Sequence, residues 1–402
     1  FVIWGGLHGT YQVIGNLWRK YVHKPEYRTT FSRLLSTAFC FVLVSFAWIF
    51  FRANNVTDAF TIIGKIFTNH RAPVVDKSVF VYGLIALFIL HFCFSPARAQ
   101  SLTFVELNCE NLFDYRHDEG KDDSEYLPEA TRHWTKKRYW RKLNNIAQEL
   151  LSTSDEGIPD LIGLCEIEND STMHDLVRRS LLRNAGYEYL TTSSPDLRGI
   201  DVALLYSPFS FAPIRSYSLR VKPVEKMRPT RDILYACGEI ASGDTLHVFV
   251  VHLPSRFGGE RYSRPFRQAA ADRLCEAVDS IYAVSSQPQI LIAGDFNDGA
   301  ESEILQGICR HRLRNLTQQA EAPEGVHGTY RYQGEWESID HILGSPSIGR
   351  KMESASIHAP KFLLEEDPQY GGYKPRRTYN GMRYQPGYSD HLPLVVQFKL
   401  SF

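Results

Sequence analysis

Apolar and polar positions alternate in short runs through most of the chain after residue 100. The run SLTFVELN at 101–108 alternates with a period of two and predicts a strand. The run KKRYWRKLNNIAQELL at 136–151 repeats its apolar residues at helical spacing. Further strands are predicted at 159–168, 199–206, 245–253, 289–296, 338–344 and 392–400, and further helices at 173–184 and 266–284. Strands mixed with scattered helices favour an α/β chain of the α+β kind, in which the sheets form a layered sandwich.

The first hundred residues have a different pattern, dominated by two uncharged apolar runs. The run LLSTAFCFVLVSFAWIFF at 34–51 has the length of a bilayer-spanning helix. The run at 79–94 follows Lys77 and ends in SPARAQ, which fits either a short spanning helix or a secretory signal. We therefore predict a helical, membrane-embedded fragment at 1–99. A membrane-associated or exported domain, periplasmic or extracellular, is expected at 100–402.

Composition narrows the choice of partners. The 402 residues include 45 Lys and Arg against 45 Asp and Glu, so the overall charge does not indicate a nucleic-acid binder. Any site for a polyanion must be local. The seven cysteines include no CxxC pair, and their odd number argues against a disulfide framework.

Polar residues of a restricted kind stand at the ends of the predicted strands. They are Asn108 and Glu110, Glu166, His252, Asp295 and Asn297, Asp340, and the pair Asp390 and His391 in GYSDHLPL. Loops at one edge of a sheet are where a rigid scaffold commonly carries function. Carboxylate oxygens suit Mg²⁺, and a histidine near its ordinary pKa exchanges protons at neutral pH. The set suits hydrolysis of a phosphoester, which needs positive charge, an activated water and rigid alignment.

The order and spacing of seven motifs resemble the endonuclease/exonuclease/phosphatase superfamily. The motifs are NCENLF (108–113), LCEIEN (164–169), RGIDVALLY (198–206), VHLPSR (251–256), GDFND (294–298), SIDHIL (338–343) and SDH (389–391). The resemblance covers residues 101–400. It implies a four-layered sandwich of two mixed β-sheets flanked by helices, with a metal site at one end.

The same resemblance implies a role for each matching residue. Glu166 would be the main Mg²⁺ ligand, with Asn108 and Glu110 beside it and Asp390 facing the metal, and Mn²⁺ is the alternative ion. His391 would contact the scissile phosphate and transfer protons, oriented by Asp340. Asp295 would position or deprotonate the attacking water, so that the general base is either His391 or Asp295. Asn297 would hold a phosphate oxygen, and His252 would be a leaving-group acid or phosphate ligand. Glu110 departs from the family pattern, since several members carry Asp there.

The substrate is left open between several classes. A nuclease or phosphodiesterase acting on nucleic acid leads, and a phosphatase acting on a phosphorylated small molecule or lipid headgroup is the alternative. Arg256 and Arg264 follow the VHLP strand, and Arg377 and Tyr379 lie in a Tyr- and Arg-rich segment before SDH, so these four are the candidate substrate contacts. Arg228 and Arg231 in KMRPTRD are further candidates for phosphate contacts. We expect a monomeric catalytic domain.

The N-terminal part carries a second resemblance. FVIWGGLHGTYQVIGNLWRK at the start and WIFFRANNVTDAF at 48–60 are similar to the C-terminal end of the membrane-bound O-acyltransferase family. The resemblance covers roughly the first 90 residues and implies a fragment without most of that family's helices. Acyl transfer is accordingly the least favoured function.

Overall fold

The computed structural model describes residues 56–68, 101–154 and 157–400. The chain separates into two compact units, Phe1–Phe94 and Ser95–Phe402. In the first unit the structure describes one helix, α1 (Val56–Thr68). Within the described ranges, no helix combines the length and hydropathy that a membrane span requires. The two apolar runs at 34–51 and 79–94 lie outside these ranges.

The second unit contains two six-stranded sheets. The first has the order β13-β18-β1-β2-β4-β3, formed by Met352–Ile357, Leu394–Lys399, Ser101–Leu112, Leu161–Ile167, Asp201–Tyr206 and Glu188–Thr191. The second has the order β5-β6-β7-β8-β12-β9, formed by Phe211–Leu219, Ile233–Ile240, Thr245–His252, Gln289–Asp295, Asp340–Gly344 and Arg314–Asn315. Each sheet has one parallel pair, β1 with β2 and β7 with β8, among antiparallel neighbours. The prediction of two mixed sheets is confirmed.

Helices cover the outer faces of both sheets. Among the described residues of this unit they are α2 (Lys136–Leu151), α3 (Asp170–Arg179), α4 (Glu260–Val284), α5 (Glu303–Cys309) and the single turn α6 (Pro346–Gly349). Apolar residues of α2 and α3 pack on the first sheet, and those of α4 and α5 pack on the second. A third core, which includes Phe104, Val248 and Leu291, lies between the sheets. The result is a four-layered sandwich.

Three short hairpins complete the unit. They are β10 (Tyr330–Tyr332) with β11 (Glu335–Glu337), β14 (Leu364–Glu366) with β15 (Tyr373–Pro375), and β16 (Tyr379–Asn380) with β17 (Arg383–Tyr384). The first hairpin contributes to the candidate site described below, and the third lies in the segment just before SDH.

Candidate active site

The strand ends meet at one edge of the sandwich. The parallel strands β1, β2, β7 and β8 all end there, and β12 begins there because Asp340 pairs with Asp295 in antiparallel register. His252 pairs with Asp295 across β7 and β8. The turn before β18 brings Asp390 and His391 to the same edge, since β18 runs antiparallel to β1. Residues from six segments thereby surround a single site.

Backbone irregularities aim several of these side chains. The registers of β1 and β2 shift at Asn108–Leu112 and at Cys165–Ile167. Four residues have a left-handed backbone, with φ of 50° at Glu110, 53° at Asn111, 62° at Glu166 and 52° at Asn297. Such conformations are uncommon outside glycine, and β-bulges characteristically re-aim a side chain next to an active site.

A cavity of about 520 Å³ opens at this edge. We call it the catalytic cavity. Eight of the residues predicted from the sequence line it: Asn108, Glu166, His252, Arg256, Asp295, Asn297, Asp390 and His391. Asp340 lies behind His391 and is buried. The structure therefore brings together the whole predicted catalytic set and three of the four predicted metal ligands.

His391 forms a hydrogen-bonded pair with Asp340. Its Nδ1 lies 2.7 Å from Asp340 Oδ2, which also accepts a bond from the Thr329 hydroxyl at 2.5 Å. Burial works against the charged imidazole, but the Asp340 carboxylate outweighs it and raises the pKa of His391 well above its ordinary value. The ring of Tyr330 packs 4.9 Å from the imidazole. These contacts fix the ring and leave its other nitrogen, Nε2, for chemistry.

Ser389 of the SDH motif has a structural role. Its hydroxyl donates to the carbonyl oxygen of Asn108 at 2.6 Å and accepts from the backbone N–H of His391 at 3.1 Å. The serine thus ties the turn before β18 to the end of β1. Of the three polar residues of the motif, Ser389 holds the turn, while the carboxylate of Asp390 and the imidazole of His391 line the catalytic cavity.

Asp295 is the centre of the second hydrogen-bonded group. Its Oδ2 accepts from Asn108 Nδ2 at 3.1 Å, and its Oδ1 accepts from the backbone N–H of Asn297 at 2.7 Å. Burial and the nearby Asp340 carboxylate raise the pKa of Asp295 to about 7. Asp295, Asp340 and His391 offer ligand-type atoms within 4.8 Å of one another, and this buried trio is a possible acidic metal site.

His252 lies beside the carboxylates of Asp295 and Glu166 but carries no positive charge that would offset theirs. Its Nε2 lies 3.6 Å from Asp295 Oδ2 and 3.9 Å from Glu166 Oε1, and its buried Nδ1 has no hydrogen-bond partner. Burial, together with the guanidinium groups of Arg231 and Arg198, lowers the pKa of His252 well below its ordinary value. The imidazole is therefore neutral at physiological pH.

Glu166 is the carboxylate best suited to a divalent ion. It lines the catalytic cavity, its Oε2 accepts only the backbone N–H of Asn111 at 2.7 Å, and within the described ranges its sole ion-pairing neighbour is the neutral His252. Asn108 and Asp390 add amide and carboxylate oxygens on the same cavity wall. Hard oxygen donors with an uncompensated carboxylate are what Mg²⁺ requires, so these residues fit the ion.

Glu110, the fourth predicted metal ligand, lies in a different environment. It is buried and does not line the catalytic cavity; its Oε2 accepts from the Thr378 backbone N–H at 2.7 Å and faces Lys142 Nζ at 3.4 Å. Its Oε1 lies 3.4 Å from Arg377 Nε. Two protein cations already compensate this carboxylate, and its position argues against the metal assignment made from the sequence.

The predicted substrate contacts are only partly at the site. Arg256 lines the catalytic cavity and pairs with Glu337. Arg264 instead pairs with Glu303 on α5 and is absent from the cavity lining, because the exposed face of α4 carries it elsewhere. Arg377 and Tyr379 line a neighbouring cavity of about 300 Å³, and Arg377 Nη2 donates to Asp390 Oδ2 at 2.8 Å. The structure therefore places Arg256 in the catalytic cavity and Arg264 outside it.

Several cavity residues were not selected from the sequence. They are Asn111, Arg198, Ser255, Phe257, Tyr330, Tyr332, Glu337 and Ile339. Arg198 and Ser255 stand inside quoted motifs, RGIDVALLY and VHLPSR, and Asn111 inside NCENLF, so the motifs themselves were the available signal. The β10–β11 hairpin offered none, since nothing in GTYRYQGEWES marks a cavity wall.

Comparison with known proteins decides the family. A model of the endonuclease/exonuclease/phosphatase family matches residues 103–400. The chain belongs to this family. Members of the endonuclease/exonuclease/phosphatase family are metal-dependent phosphoesterase and nuclease hydrolases, and the chain is an enzyme of this class. A search of curated protein sequences gives no significant match.

Solved structures share the fold of this family member at low sequence identity. An endonuclease/exonuclease/phosphatase family protein from Bacteroides thetaiotaomicron is 17% identical with a TM-score of 0.52, and the alignment covers 75% of this chain and 99% of that one. The Bacteroides thetaiotaomicron mannosyl-6-phosphatase Bt3783 is 17% identical with a TM-score of 0.51, covering 73% and 98%. The human Nocturnin catalytic domain is 20% identical with a TM-score of 0.46, covering 74% and 94%. The family match starts at residue 103, and nothing in the comparisons supports the acyltransferase resemblance of residues 1–90.

Proposed function

We propose that this chain is a Mg²⁺-dependent phosphodiester hydrolase that acts on nucleic acid. One observation carries the proposal: the hydrogen-bonded pair of His391 and Asp340 lies with Asp295 in a cluster whose ligand-type atoms are within 4.8 Å of one another. His391 and Asp295 share the catalytic cavity with Glu166, a carboxylate that forms no ion pair with Lys or Arg among the described residues. Glu166, Asn108 and Asp390 would hold the ion. When bound, Mg²⁺ supplies positive charge for the phosphate oxygens and for the leaving group.

The protonation states suggest how the side chains share the work. Asp295, with a pKa of about 7, is a carboxylate that accepts a proton from water at neutral pH. His391, held by Asp340 and protonated, donates a hydrogen bond from Nε2 to a phosphate oxygen or a proton to the leaving group. This division favours Asp295 as the general base. Asn297 lines the same cavity and is placed to contact the phosphate.

A phosphatase acting on a phosphorylated sugar is the second candidate. The fold likeness to the Bacteroides mannosyl-6-phosphatase is the reason to include a phosphomonoester among the substrates tested.

The assay compares substrates with the purified full chain. We expect Mg²⁺-dependent cleavage of bis(4-nitrophenyl) phosphate and of plasmid DNA or RNA, abolished by EDTA and restored by excess Mg²⁺. Mannose 6-phosphate and inositol phosphates are run in parallel. Turnover of the monoesters without any diester cleavage would contradict the proposal and favour the phosphatase.

We further propose that the catalytic domain is exported or held at a membrane by the apolar runs at 34–51 and 79–94. Alkaline carbonate washing of cell membranes, with protease added outside spheroplasts, tests this placement. Release by carbonate together with protection from protease would contradict it.

We also propose that the catalytic domain is monomeric, and we expect light scattering to give the mass of a monomer.

A further inference from the structure

A second cavity of about 430 Å³ adjoins the catalytic cavity. We call it the basic cavity. The loops at 196–198, 226–231 and 254–257 and the first turns of α4 form it. The two cavities share Arg198, Ser255 and Phe257, so a ligand extending from the scissile phosphate enters the basic cavity without crossing a barrier of other residues.

Positive charge dominates this cavity. Arg198, Lys226, Arg228 and Arg231 line it, against a single lining carboxylate, Asp196. Asp196 lies 3.3 Å from Arg231 Nη1 and 3.9 Å from Arg198 Nε. One carboxylate shared between two guanidinium groups leaves a surplus of positive charge, which favours an anionic ligand.

Two buried polar atoms in the wall, one on Arg231 and one on Thr230, have no hydrogen-bond partner among the described residues. Arg231 is 6% exposed, and its Nη2 donates to the Leu253 carbonyl oxygen at 2.7 Å, but its Nε is unpaired. The adjacent Thr230 is 4% exposed, and its hydroxyl is also unpaired. Buried donors are normally satisfied in native proteins. Both residues line the basic cavity, where an acceptor on a bound ligand would satisfy these atoms.

Hydrogen bonds hold the first loop of the basic cavity and connect its wall to the catalytic cavity. Lys121 Nζ donates to the carbonyl oxygens of Ser194 and Asp196, which fixes the first loop. The Leu253 carbonyl oxygen accepts hydrogen bonds both from Arg231 Nη2 at 2.7 Å and from Asn297 Nδ2 at 3.0 Å. One backbone group thus links the buried arginine to a residue of the catalytic set.

Aromatic rings stand at the mouth of the basic cavity. Phe257 is 88% exposed at the junction of the two cavities, and Tyr262 is 51% exposed on α4. An exposed ring beside a basic groove is the arrangement that stacks bases of single-stranded nucleic acid.

We propose that the basic cavity binds a second phosphate of the substrate, with the adjoining base stacked on Phe257. The preferred substrate is then a nucleotide chain of at least two phosphates, and not a compound whose only phosphate is the scissile one. This inference rests on the proposed function and refines it.

The test uses substrates that differ in their number of phosphates. d(TpT) carries only the scissile phosphate, whereas d(TpTpTpT) carries two more. We expect the wild-type kcat/KM to be at least tenfold higher for the tetramer at 0.15 M salt. The Lys226→Ala/Arg228→Ala variant should remove most of that advantage. The Lys222→Ala/Lys361→Ala variant, which removes the same charge from exposed positions outside the basic cavity, should retain it.

Equal kcat/KM for the two lengths in the wild type, or an equal loss in both double variants, would overturn the inference. A binding measurement separates this failure from that of the proposed function. Calorimetry with EDTA present measures thymidine 3′,5′-bisphosphate without turnover. We expect at least tenfold weaker binding in Lys226→Ala/Arg228→Ala and in Phe257→Ala, and no change in the control. Unchanged binding in the basic-cavity variants refutes the second phosphate site even if the enzyme cleaves DNA.

Discussion

Two carboxylates of neighbouring strand ends, Glu110 and Glu166, differ in burial and in the cations that surround them. The first, Glu110, is compensated by Lys142 at 3.4 Å and by Arg377 at 3.4 Å. The second, the half-buried Glu166 of the catalytic cavity, lies beside the neutral His252 and forms no ion pair with Lys or Arg in the part of the chain that the structure describes. A buried carboxylate such as Glu110 is costly without a cation beside it, whereas a half-buried one such as Glu166 keeps contact with water. Side chains of the protein therefore compensate Glu110, whereas Glu166 remains available to the metal ion that we propose.

The largest effect should come from the hydrogen-bonded pair of His391 and Asp340, to which we assign proton transfer. Replacing His391 by Ala removes the imidazole that Asp340 orients, and general acid–base catalysis contributes roughly 10²–10⁴-fold. We expect kcat on bis(4-nitrophenyl) phosphate to fall by that factor while the thermal midpoint stays near that of the wild type. A variant that keeps more than half of the wild-type kcat would exclude His391 from the mechanism.

The next effect concerns stability at the compensated group. Lys142 is 1% exposed and donates to Thr378 Oγ1 at 2.8 Å as well as facing Glu110. Lys142→Met leaves the Glu110 carboxylate buried beside one partly exposed guanidinium, and breaking a buried ion pair costs about 3–5 kcal/mol. Urea denaturation should measure this loss, and Lys142→Met/Glu110→Gln should recover part of it. If Lys142→Met has the same free energy of unfolding as the wild type, the pair of Lys142 and Glu110 does not stabilise the fold.

A smaller effect follows from Glu149, a buried acid near Lys142. Burial, opposed by Lys142, raises its pKa from 4.5 to about 8. Because the folded state then holds a proton that the unfolded state has lost, the free energy of unfolding falls as pH rises from 4.5 to about 8. Glu149→Gln should flatten that decline by at least about 1 kcal/mol, measured by denaturation at several pH values. An unchanged slope would assign the decline to other groups.

The two arginines that follow the VHLP strand provide the smallest contrast. Arg256 lines the catalytic cavity and pairs with Glu337, whereas Arg264 pairs with Glu303 away from it. Arg256→Ala should raise KM for DNA by about twofold to fivefold, in line with a partly exposed charge contact. Arg264→Ala should leave KM for DNA equal to that of the wild type within experimental error. A larger effect of Arg264→Ala would mean that the substrate runs over α4.

Much of the fold could be predicted because it follows from alternation and local spacing. The buried strands at 161–167 and 289–295 and the amphipathic helix at 136–151 carry that signal. Strand β5 does not, because its seven central residues are exposed and no apolar face repeats along it. Helix α4 begins at Glu260, ahead of the predicted start at 266, and includes Pro265, which removes a backbone donor near the start of the pattern.

The candidate site likewise has one part that local sequence predicts and one part that it does not. Strand-end polar residues and ordered motifs located His391, Asp340, Asp295 and Glu166. The separation of Glu110 from the other predicted ligands could not be predicted, because it depends on Lys142 and Arg377, which lie 32 and 267 residues away along the chain. Left-handed backbone at Glu110 and Glu166 also leaves no trace in a residue pattern. Long-range pairing of charges, and not local sequence, decides which carboxylate remains free.

Measuring the affinity for Mn²⁺ tests most directly whether Glu166, and not Glu110, binds the metal. Electron paramagnetic resonance of Mn²⁺ titrated into the chain measures affinity without turnover, and Glu166→Gln and Glu110→Gln are matched replacements. We predict that Glu166→Gln weakens Mn²⁺ binding at least tenfold, whereas Glu110→Gln stays within twofold of the wild type. Loss of binding in Glu110→Gln with normal binding in Glu166→Gln would contradict the assignment of the metal to the catalytic cavity.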